Sequence, residues 1–473
     1  MDRKKFIKNI LYAFSAQFIS LILSFTMSLV VPKMLGVEEY SYWQLFLFYS
    51  SYVGFFAFGF NDGLYLKLGG CEYKKLDYSS IGTQIKINIF LQCVILSGVI
   101  IVMNYFVKDS LRFSVIIATA IYAILNNLNA YVGYILQAVN QTKKFSISTM
   151  LEKGSFLIIV VILMVFDLKS FQPFVLFYII AKIIALTYSI YNGRAIIFSK
   201  IAPLNESIKE MINNMAIGMN LMLANIASML ILGFGRSIID QVWGITAFGR
   251  FSLALSLCNF FLTFITQVSM VLFPALRRLD AKQIERFYRL SRSILSVALP
   301  AIFLVYIPMR KILSIWLPNY KESLIILGFL LPMCTYDGKM NLLCNTYFKV
   351  LRKEKVLLYV NLFAMALSAA LAMVGAYIAK SVYFIVFGIV FSIALRSILS
   401  ELILARYMNS SVIINVILES IVVLLYLVEI IFLNDTMAIL TYLMVYAVFL
   451  LINRNSIREV FNIMIKKNNI GCN

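Results

Sequence analysis

Three basic residues lie deep inside otherwise apolar stretches of this sequence. They are Lys182 in "FYIIAKIIALTY", Lys339 in "TYDGKM" and Arg396 in "FSIALRSILSEL". A Lys or Arg at the centre of a membrane helix costs roughly 2.5–3.5 kcal/mol on insertion scales, so each needs a partner or a function. Two kinds of chemistry fit: an ion pair with a carboxylate on another helix, or neutralisation of an anionic solute in a polar cavity.

Two further bases, Lys86 and Arg250, lie near the ends of apolar stretches. A long basic side chain in that position can extend to the membrane surface and keep its charge in water. An alternative is that these two residues also line the path of an anionic solute. We therefore include both among the candidate residues of a solute path.

Carboxylates in or beside the apolar stretches are the candidate partners of these bases. Asp337 lies two residues from Lys339, so the two side chains point to different sides of a helix and need partners elsewhere. Asp337 therefore joins the candidate path residues. Glu419 lies deep in a late apolar stretch, and Asp62 follows the second one. For these two acids, pairing with a base and binding of a coupling ion both remain open.

The composition excludes a soluble protein. Of the 473 residues, 62% are hydrophobic and 14% are charged, whereas soluble domains average about 45–50% apolar and about 25% charged residues. Apolar runs of about 20 residues, long enough to span the hydrocarbon core, recur along the chain. Backbone polar groups must be satisfied inside lipid, so we expect these runs to be helices. The predicted class is an all-α polytopic membrane protein with about 14 transmembrane helices.

The predicted spans define three regions of the chain. They lie at roughly 10–31, 41–60, 84–107, 113–137, 149–166, 173–192, 214–234, 247–273, 293–309, 323–345, 356–378, 382–405, 411–433 and 436–452. Residues 1–200 would form an amino-terminal lobe of six helices and residues 201–407 a second lobe of six. Residues 408–473 would add two helices and a cytoplasmic tail.

The strong positive charge predicts the orientation in the membrane. The chain carries 42 Lys and Arg against 22 Asp and Glu, a net charge of +20. Most of the bases fall in alternate segments between the spans, the bias typical of cytoplasmic loops. Both termini would then be cytoplasmic, anionic membrane lipids would be the partners of this charge, and we expect no nucleic acid partner.

The residues of common active sites are scarce. The sequence contains no His, the usual general base near neutral pH, and its six Cys show no CxxC spacing. We predict no catalytic residues, no metal site and no cofactor. One basic segment near residues 277–292 is predicted to be an amphipathic helix at the headgroups, with Leu279, Ile284, Phe287 and Leu290 on its apolar side. Its bases also fit a positive-inside topology signal, and the two interpretations are compatible.

Two halves of the sequence correspond. When the sequence is aligned with itself at a constant offset, Gly36 of "VPKMLGVEEYSYW" falls on Gly244 of "IDQVWGITAFGRF". A nearly equal offset places Asn126 on Asp337. Six spans separate equivalent positions, so the two lobes should have the same orientation in the membrane. Gly36, with Pro32, is expected to end the first span and turn the chain.

These segments resemble the polysaccharide flippases of the multidrug/oligosaccharidyl-lipid/polysaccharide (MOP) exporter superfamily. The resemblance rests on "VPKMLGVEEYSYW", on "FGFNDGL" from Phe58, on "GRSIIDQVWGITAFGRFSLALS" from Gly235, and on their order. It implies two six-helix lobes, as in the multidrug and toxin extrusion (MATE) transporters, around a basic cavity that opens alternately to each side. The implied substrate is a lipid-linked oligosaccharide, carried across the bacterial cytoplasmic membrane for O-antigen or capsule assembly. Other polysaccharide-assembly proteins are its implied partners.

Two other functions fit the sequence less well. A MATE-type drug/cation antiporter needs carboxylates in its cavity, but the first predicted lobe has no acid deep in a span. A membrane-embedded polysaccharide polymerase or glycosyltransferase needs a sugar site and a general base, but the sequence has no His and no long external loop. We therefore expect a transporter and not an enzyme.

Overall fold

The computed structural model describes residues 3–276 and 280–454, in which all regular secondary structure is helical. The predicted all-α class is confirmed. The α-helices in chain order are α1 Arg3–Leu29, α2 Val31–Ser51, α3 Phe60–Leu68, α4 Tyr78–Phe106, α5 Ser110–Ala138, α6 Thr142–Val165, α7 Phe171–Asn192, α8 Arg194–Ile197, α9 Leu204–Leu276, α10 Ala281–Ala298, α11 Ile302–Trp316, α12 Lys321–Leu330, α13 Pro332–Lys339, α14 Asn345–Val350, α15 Glu354–Tyr377, α16 Val382–Tyr407, α17 Ile413–Phe432 and α18 Asp435–Ile452. Three 3-10 helices, Val53–Ala57, Tyr73–Lys75 and Pro318–Tyr320, and a π-helix, Met340–Cys344, complete the described structure.

Aspartates fix the starts of three of these helices. Asp77 accepts a hydrogen bond from the Ser80 amide at 3.0 Å before α4, and Asp280 accepts one from the Gln283 amide at 2.8 Å before α10. Asp109 does the same for α5, with the Leu111 amide at 2.9 Å. An aspartate in this position satisfies a backbone N–H that the helix leaves without a partner.

The described residues contain ten helices that are long and apolar enough to span a membrane. The bent pair Ser15–Leu29 and Val31–Ala57, which turns by 68°, raises this number to eleven. The chain is therefore a multi-pass membrane protein. The predicted number of about 14 spans is not confirmed.

Breaks inside the apolar segments explain the difference in span number. Segment α9, Leu204–Leu276, contains both of the spans predicted at 214–234 and 247–273, which meet at a kink where Gly244 is not helical, so the two count as one long helix. In contrast, the span predicted at 323–345 is divided among several short pieces, because Pro332 begins a new helix and the π-helix interrupts the next turn. Hydropathy measures the length of an apolar run and does not detect backbone breaks such as these.

The chain divides into two compact units, Met1–Ile226 (unit 1) and Ala227–Asn473 (unit 2). In unit 1, α5 packs against α2, α4 and α7, and α6 packs against α1 and α7. In unit 2, α16 packs against α12, α13 and α15, while α17 and α18 pack on each other and on α12 and α11. The predicted region boundaries at residues 200 and 407 stay predictions, and the predicted cytoplasmic tail beyond residue 454 lies outside the described residues.

The two glycines aligned by the internal repeat adopt the same unusual backbone. Gly36 has φ 72° and ψ 178°, and Gly244 has φ 82° and ψ 178°. Only glycine populates this region readily, because a Cβ atom would clash with the chain's own backbone. The turn predicted at Gly36 is confirmed, whereas Pro32 lies in the first turn of α2, where its missing N–H costs nothing.

We expect Gly36→Ala and Gly244→Ala each to lower the free energy of unfolding by about 1–3 kcal/mol. No atom lies within 4 Å of the position that a Cβ would take at either residue, so backbone strain alone sets this cost. Gly98→Ala is the matched control, since Gly98 is helical, exposed and equally uncrowded. Thermal unfolding in detergent should show a lower unfolding temperature for Gly36→Ala and for Gly244→Ala, and no decrease for Gly98→Ala. Equal unfolding temperatures for all three variants would contradict backbone strain at the two equivalent glycines.

Candidate functional site

Four charged side chains meet inside unit 2, and we call them the four-charge cluster. They are Arg292 of α10, Lys339 of α13, Glu401 of α16 and Glu419 of α17. Each side chain is only 3–4% exposed. Lys339 Nζ contacts Glu401 Oε2 at 3.1 Å and also binds Glu419, while Arg292 Nε contacts Glu401 Oε1 at 2.7 Å. Two bases and two acids therefore cancel in a site that excludes water.

One contact in the four-charge cluster is looser than the others. Arg292 Nη2 lies 3.5 Å from Glu419 Oε1, and neither atom makes a hydrogen bond within the described part of the chain. Buried polar atoms usually have partners, so this side of the cluster is its weakest point. The Glu419 carboxylate contacts two bases, and its role in pairing or in ion coupling stays a prediction.

A second buried ion pair joins α13 to α16. Arg396 Nη2 donates to Asp337 Oδ1, and Arg396 Nη1 donates to Ser228 Oγ at 2.8 Å. Arg396 is 4% exposed and Asp337 8%. Lys339, two residues along α13, contacts different acids. The prediction that Asp337 and Lys339 point to different sides of their helix is confirmed.

The Arg396–Asp337 pair borders a cavity of about 350 Å³ inside unit 2. Its lining comes from α9, α13, α16 and the π-helix. The lining residues are Ser228, Met229, Ile231, Leu232, Asn259, Leu262, Thr263, Met333, Asp337, Asn341, Ile393 and Arg396. Arg396 is thus both a partner in an ion pair and a wall of a cavity.

Lys182 in unit 1 is also paired. Its Nζ lies 2.6 Å from Glu152 Oε2 of α6 and 5.4 Å from the centre of the Tyr122 ring. The Lys182 side chain is 5% exposed and that of Glu152 15%. Burial of a charge is tolerated here because a carboxylate neutralises it and an aromatic face adds cation–π attraction.

The remaining candidate residues lie in more exposed surroundings. Lys86 is exposed, and its Nζ donates to the Ser199 carbonyl at 3.0 Å, as expected for a base near a helix end. Arg250 pairs with Glu322 and is 35% exposed. Asp62 lies in the first turn of α3 and is half-buried. The roles of all the candidate residues in a solute path, or of Asp62 and Glu419 in ion coupling, stay predictions.

The comparison with protein families decides the identification. Residues 6–280, more than half of the chain, match the family described as polysaccharide biosynthesis protein. The chain belongs to this family. The predicted resemblance is thereby confirmed at the level of the family. No curated protein matches the chain.

Solved structures show the fold that this member of the polysaccharide biosynthesis protein family adopts. The lipid II flippase MurJ, in an inward closed conformation, matches with a TM-score of 0.66 and 11% identity, covering 95% of this chain and 100% of MurJ. An inward-facing MATE multidrug transporter of the MOP superfamily matches with a TM-score of 0.63 and 12% identity, covering 85% of this chain and 99% of that one. A MOP superfamily transporter from Pyrococcus furiosus matches with a TM-score of 0.52 and 11% identity, covering 85% of this chain and 96% of that one. The predicted MATE-like fold is confirmed.

Sequence reasoning missed Arg292 in this polysaccharide biosynthesis protein. The segment near residues 277–292 was predicted to keep its bases at the headgroups, and Lys282, Arg286 and Arg289 are indeed exposed. For Arg292 that expectation was wrong, because it shares a buried helix face with Tyr288 and points into the protein. A signal was present in the sequence: Tyr288, Arg292, Leu295 and Leu299 follow the i, i+4, i+7, i+11 spacing of a core-facing stripe.

A stripe of buried amides in unit 1 was also missed. Gln84, Asn88 and Gln92 recur every four residues along one face of α4, with exposures of 0–1%. Gln92 donates to Asn88 Oδ1 at 2.6 Å and accepts from Asn127 Nδ2 of α5 at 2.8 Å. Gln84 accepts from Asn214 Nδ2 of α9 at 2.7 Å. Such hydrogen bonds hold membrane helices together, since lipid offers these amides no alternative partner.

Proposed function

We propose that this protein is a flippase of the bacterial cytoplasmic membrane. Its substrate would be an oligosaccharide repeat unit linked to undecaprenyl diphosphate. Both termini of the protein would lie on the cytoplasmic side. The family match over residues 6–280 is the observation that carries the proposal. A second support is the fold shared with the lipid II flippase MurJ along 95% of this chain. The exported units would serve the assembly of O-antigen, capsule or exopolysaccharide, with other polysaccharide-assembly proteins as partners.

The membrane potential favours this transport direction. A diphosphate carries about two negative charges, so outward movement across about 100 mV, inside negative, is favoured by about 4–5 kcal/mol. No coupled ion is then required. Alternating access would carry the lipid-linked repeat unit past the candidate path residues, Arg396 with Asp337, Lys182, Lys339, Arg250 and Lys86.

A MATE-type antiporter is the second candidate, since the MATE fold is shared. Cation exchange requires a carboxylate that is free to release one cation and bind another. Glu152 of unit 1 already neutralises Lys182 at 2.6 Å, and Asp337 and Glu419 of unit 2 likewise pair with bases. The same pairs also occupy Lys182, Lys339 and Arg396, so the family match, and not the ion pairs, favours the flippase over the antiporter.

Deletion of the gene should abolish surface polysaccharide and leave lipid-linked repeat units in the cytoplasmic leaflet. We would measure surface polysaccharide by immunoblot, and the leaflet by the access of an impermeant galactose oxidase or periodate probe to intact cells. Expression of the wild-type chain should restore export. Expression of an Arg289→Gln variant should restore export as well, because Arg289 is an exposed base on α10 and lies outside the candidate path residues. Normal surface polysaccharide in the deletion strain, with increased drug sensitivity, would favour the antiporter.

A further inference from the structure

The cavity bordered by Asp337 and Arg396 combines one ion pair with neutral polar and apolar side chains. Its described charges are one carboxylate and one guanidinium, and these two groups already pair with each other. A diphosphate would bring about two negative charges into a lining whose charges cancel, and burial of uncompensated charge is costly. A neutral polar ligand meets no such penalty.

The polar groups of this cavity offer both hydrogen-bond donors and acceptors. Asp337 only accepts and Arg396 only donates, whereas the amides of Asn259 and Asn341 can do both. The Thr263 hydroxyl donates to the Asn259 carbonyl at 2.8 Å and can accept from a ligand. A phosphate group uses donors alone, so it would gain nothing from the carboxylate. A sugar hydroxyl is a donor and an acceptor at once, and it uses the whole set.

One buried nitrogen atom of Arg396 is left without a hydrogen-bond partner among the described residues. This atom is Nε, and Arg396 is 4% exposed. The side chain is held in place by Asp337 on one nitrogen and by Ser228 on another. An arginine fixed in this way loses little conformational freedom when it donates a further hydrogen bond.

The size and the apolar lining of the cavity fit a small part of an oligosaccharide. A volume of about 350 Å³ lies near the lower end of about 300–1,000 Å³ for ligand pockets. Sugar rings expose apolar C–H faces between their hydroxyls, and the cavity has apolar side chains to contact them. These are Met229, Ile231, Leu232, Leu262, Met333 and Ile393.

We propose that this cavity in unit 2 binds one or two uncharged sugar rings of the transported repeat unit and leaves the diphosphate to other residues. The assignment rests on the proposed flippase function, since it names the part of that substrate which this site recognises. Asp337 then acts as an acceptor for sugar hydroxyls as well as the partner of Arg396. The site would favour hexoses and N-acetylhexosamines over uronic acids, whose carboxylate faces Asp337 without a compensating base.

The test is binding of free sugars to the purified full-length protein in phosphatidylcholine nanodiscs, a lipid whose headgroup lacks polyol hydroxyls. Saturation-transfer difference NMR would be recorded with glucose, galactose, N-acetylglucosamine, rhamnose and glucuronic acid. Inorganic pyrophosphate binding would be measured by calorimetry. We expect saturation transfer to the ring protons of at least one neutral sugar, and weaker transfer to glucuronic acid. Pyrophosphate should not compete with the neutral sugar.

Two variants locate the signal. Asn259→Leu should weaken sugar binding about tenfold through loss of an amide that can bond a hydroxyl. Asn259 is an exposed wall residue of the cavity, so this variant should still fold. Asn104→Leu is the control, since Asn104 is exposed on α4 in unit 1 and should leave binding unchanged. The double change Asp337→Asn with Arg396→Gln should also weaken binding while it keeps the buried charges balanced.

Three results would overturn the sugar site: no transfer to any sugar, equal transfer in the Asn259→Leu variant, or displacement of the sugar by pyrophosphate. The flippase function is tested separately by export from intact cells. Loss of export in the deletion strain without sugar binding by the protein would leave the flippase in place and remove this site. Sugar binding together with normal export in the deletion strain would retain the site and remove the flippase.

Discussion

Replacing Lys339 by Met should lower the free energy of unfolding by about 3–5 kcal/mol and strongly reduce the amount of folded protein in the membrane. Lys339 contacts both acids of the four-charge cluster, Glu401 at 3.1 Å and Glu419 in a second ion pair. Without it, two carboxylates share Arg292 alone in a site that is 3–4% exposed. One negative charge is then left uncompensated at a depth where charge is expensive.

A second replacement should reverse most of this loss. In the variant Lys339→Met with Glu419→Gln, Arg292 and Glu401 remain as a balanced pair at 2.7 Å. We would compare the three proteins by quantitative immunoblot of membranes and by thermal unfolding in detergent. Lys282→Met serves as the control, because Lys282 is an exposed base on α10 and its loss should change neither quantity. If the double variant were no more stable than the single one, the balance of charge would not be what stabilises the cluster.

Arg396→Gln should have the second largest effect, on stability and on export together. It leaves Asp337, 8% exposed, without its guanidinium partner, so the membrane level of the protein should fall. Arg396→Lys keeps the charge but loses the second nitrogen that reaches Ser228, and it should retain more of both properties.

The double change Asp337→Asn with Arg396→Gln separates the two effects. It removes both charges at once, so the protein level should recover to near that of the wild type. Surface polysaccharide should not recover, because the cavity has lost its fixed carboxylate and guanidinium. Both quantities would be measured in the same cells, with each variant expressed in the deletion strain. Full recovery of surface polysaccharide in the double variant would limit Arg396 and Asp337 to a structural role.

The sequence predicts the helices of this protein well because lipid imposes a simple rule on them. Each apolar run must satisfy its own backbone, so each of the predicted spans falls largely on helix. The rule does not predict where the backbone leaves the helical conformation, as at Gly244 within α9, or where one run breaks, as at Pro332. Those outcomes depend on backbone geometry at single residues. Gly244 was identified because its partner Gly36 occupies the equivalent place in the repeat.

The candidate site was predictable in its parts but not in its pairings. Buried charge in lipid requires a partner, so the sequence could indicate that Lys339 and Arg396 matter and that their partners lie on other helices. It could not indicate which helices, because the partners come from α13, α16 and α17, which are distant in sequence. Arg292 was missed for a different reason: it follows three exposed bases, and only its register with Tyr288 marks it as buried.

The four-charge cluster also restricts the evolutionary history open to this sequence. A single change at residue 292, 339, 401 or 419 leaves an unbalanced charge in the membrane, so most one-step substitutions at these positions should be removed by selection. Viable lineages would change a base and an acid together, or replace all four with apolar residues. Related chains should therefore show covariation among these four positions, whereas Lys282, Arg286 and Arg289 on the exposed side of the same helix should drift independently.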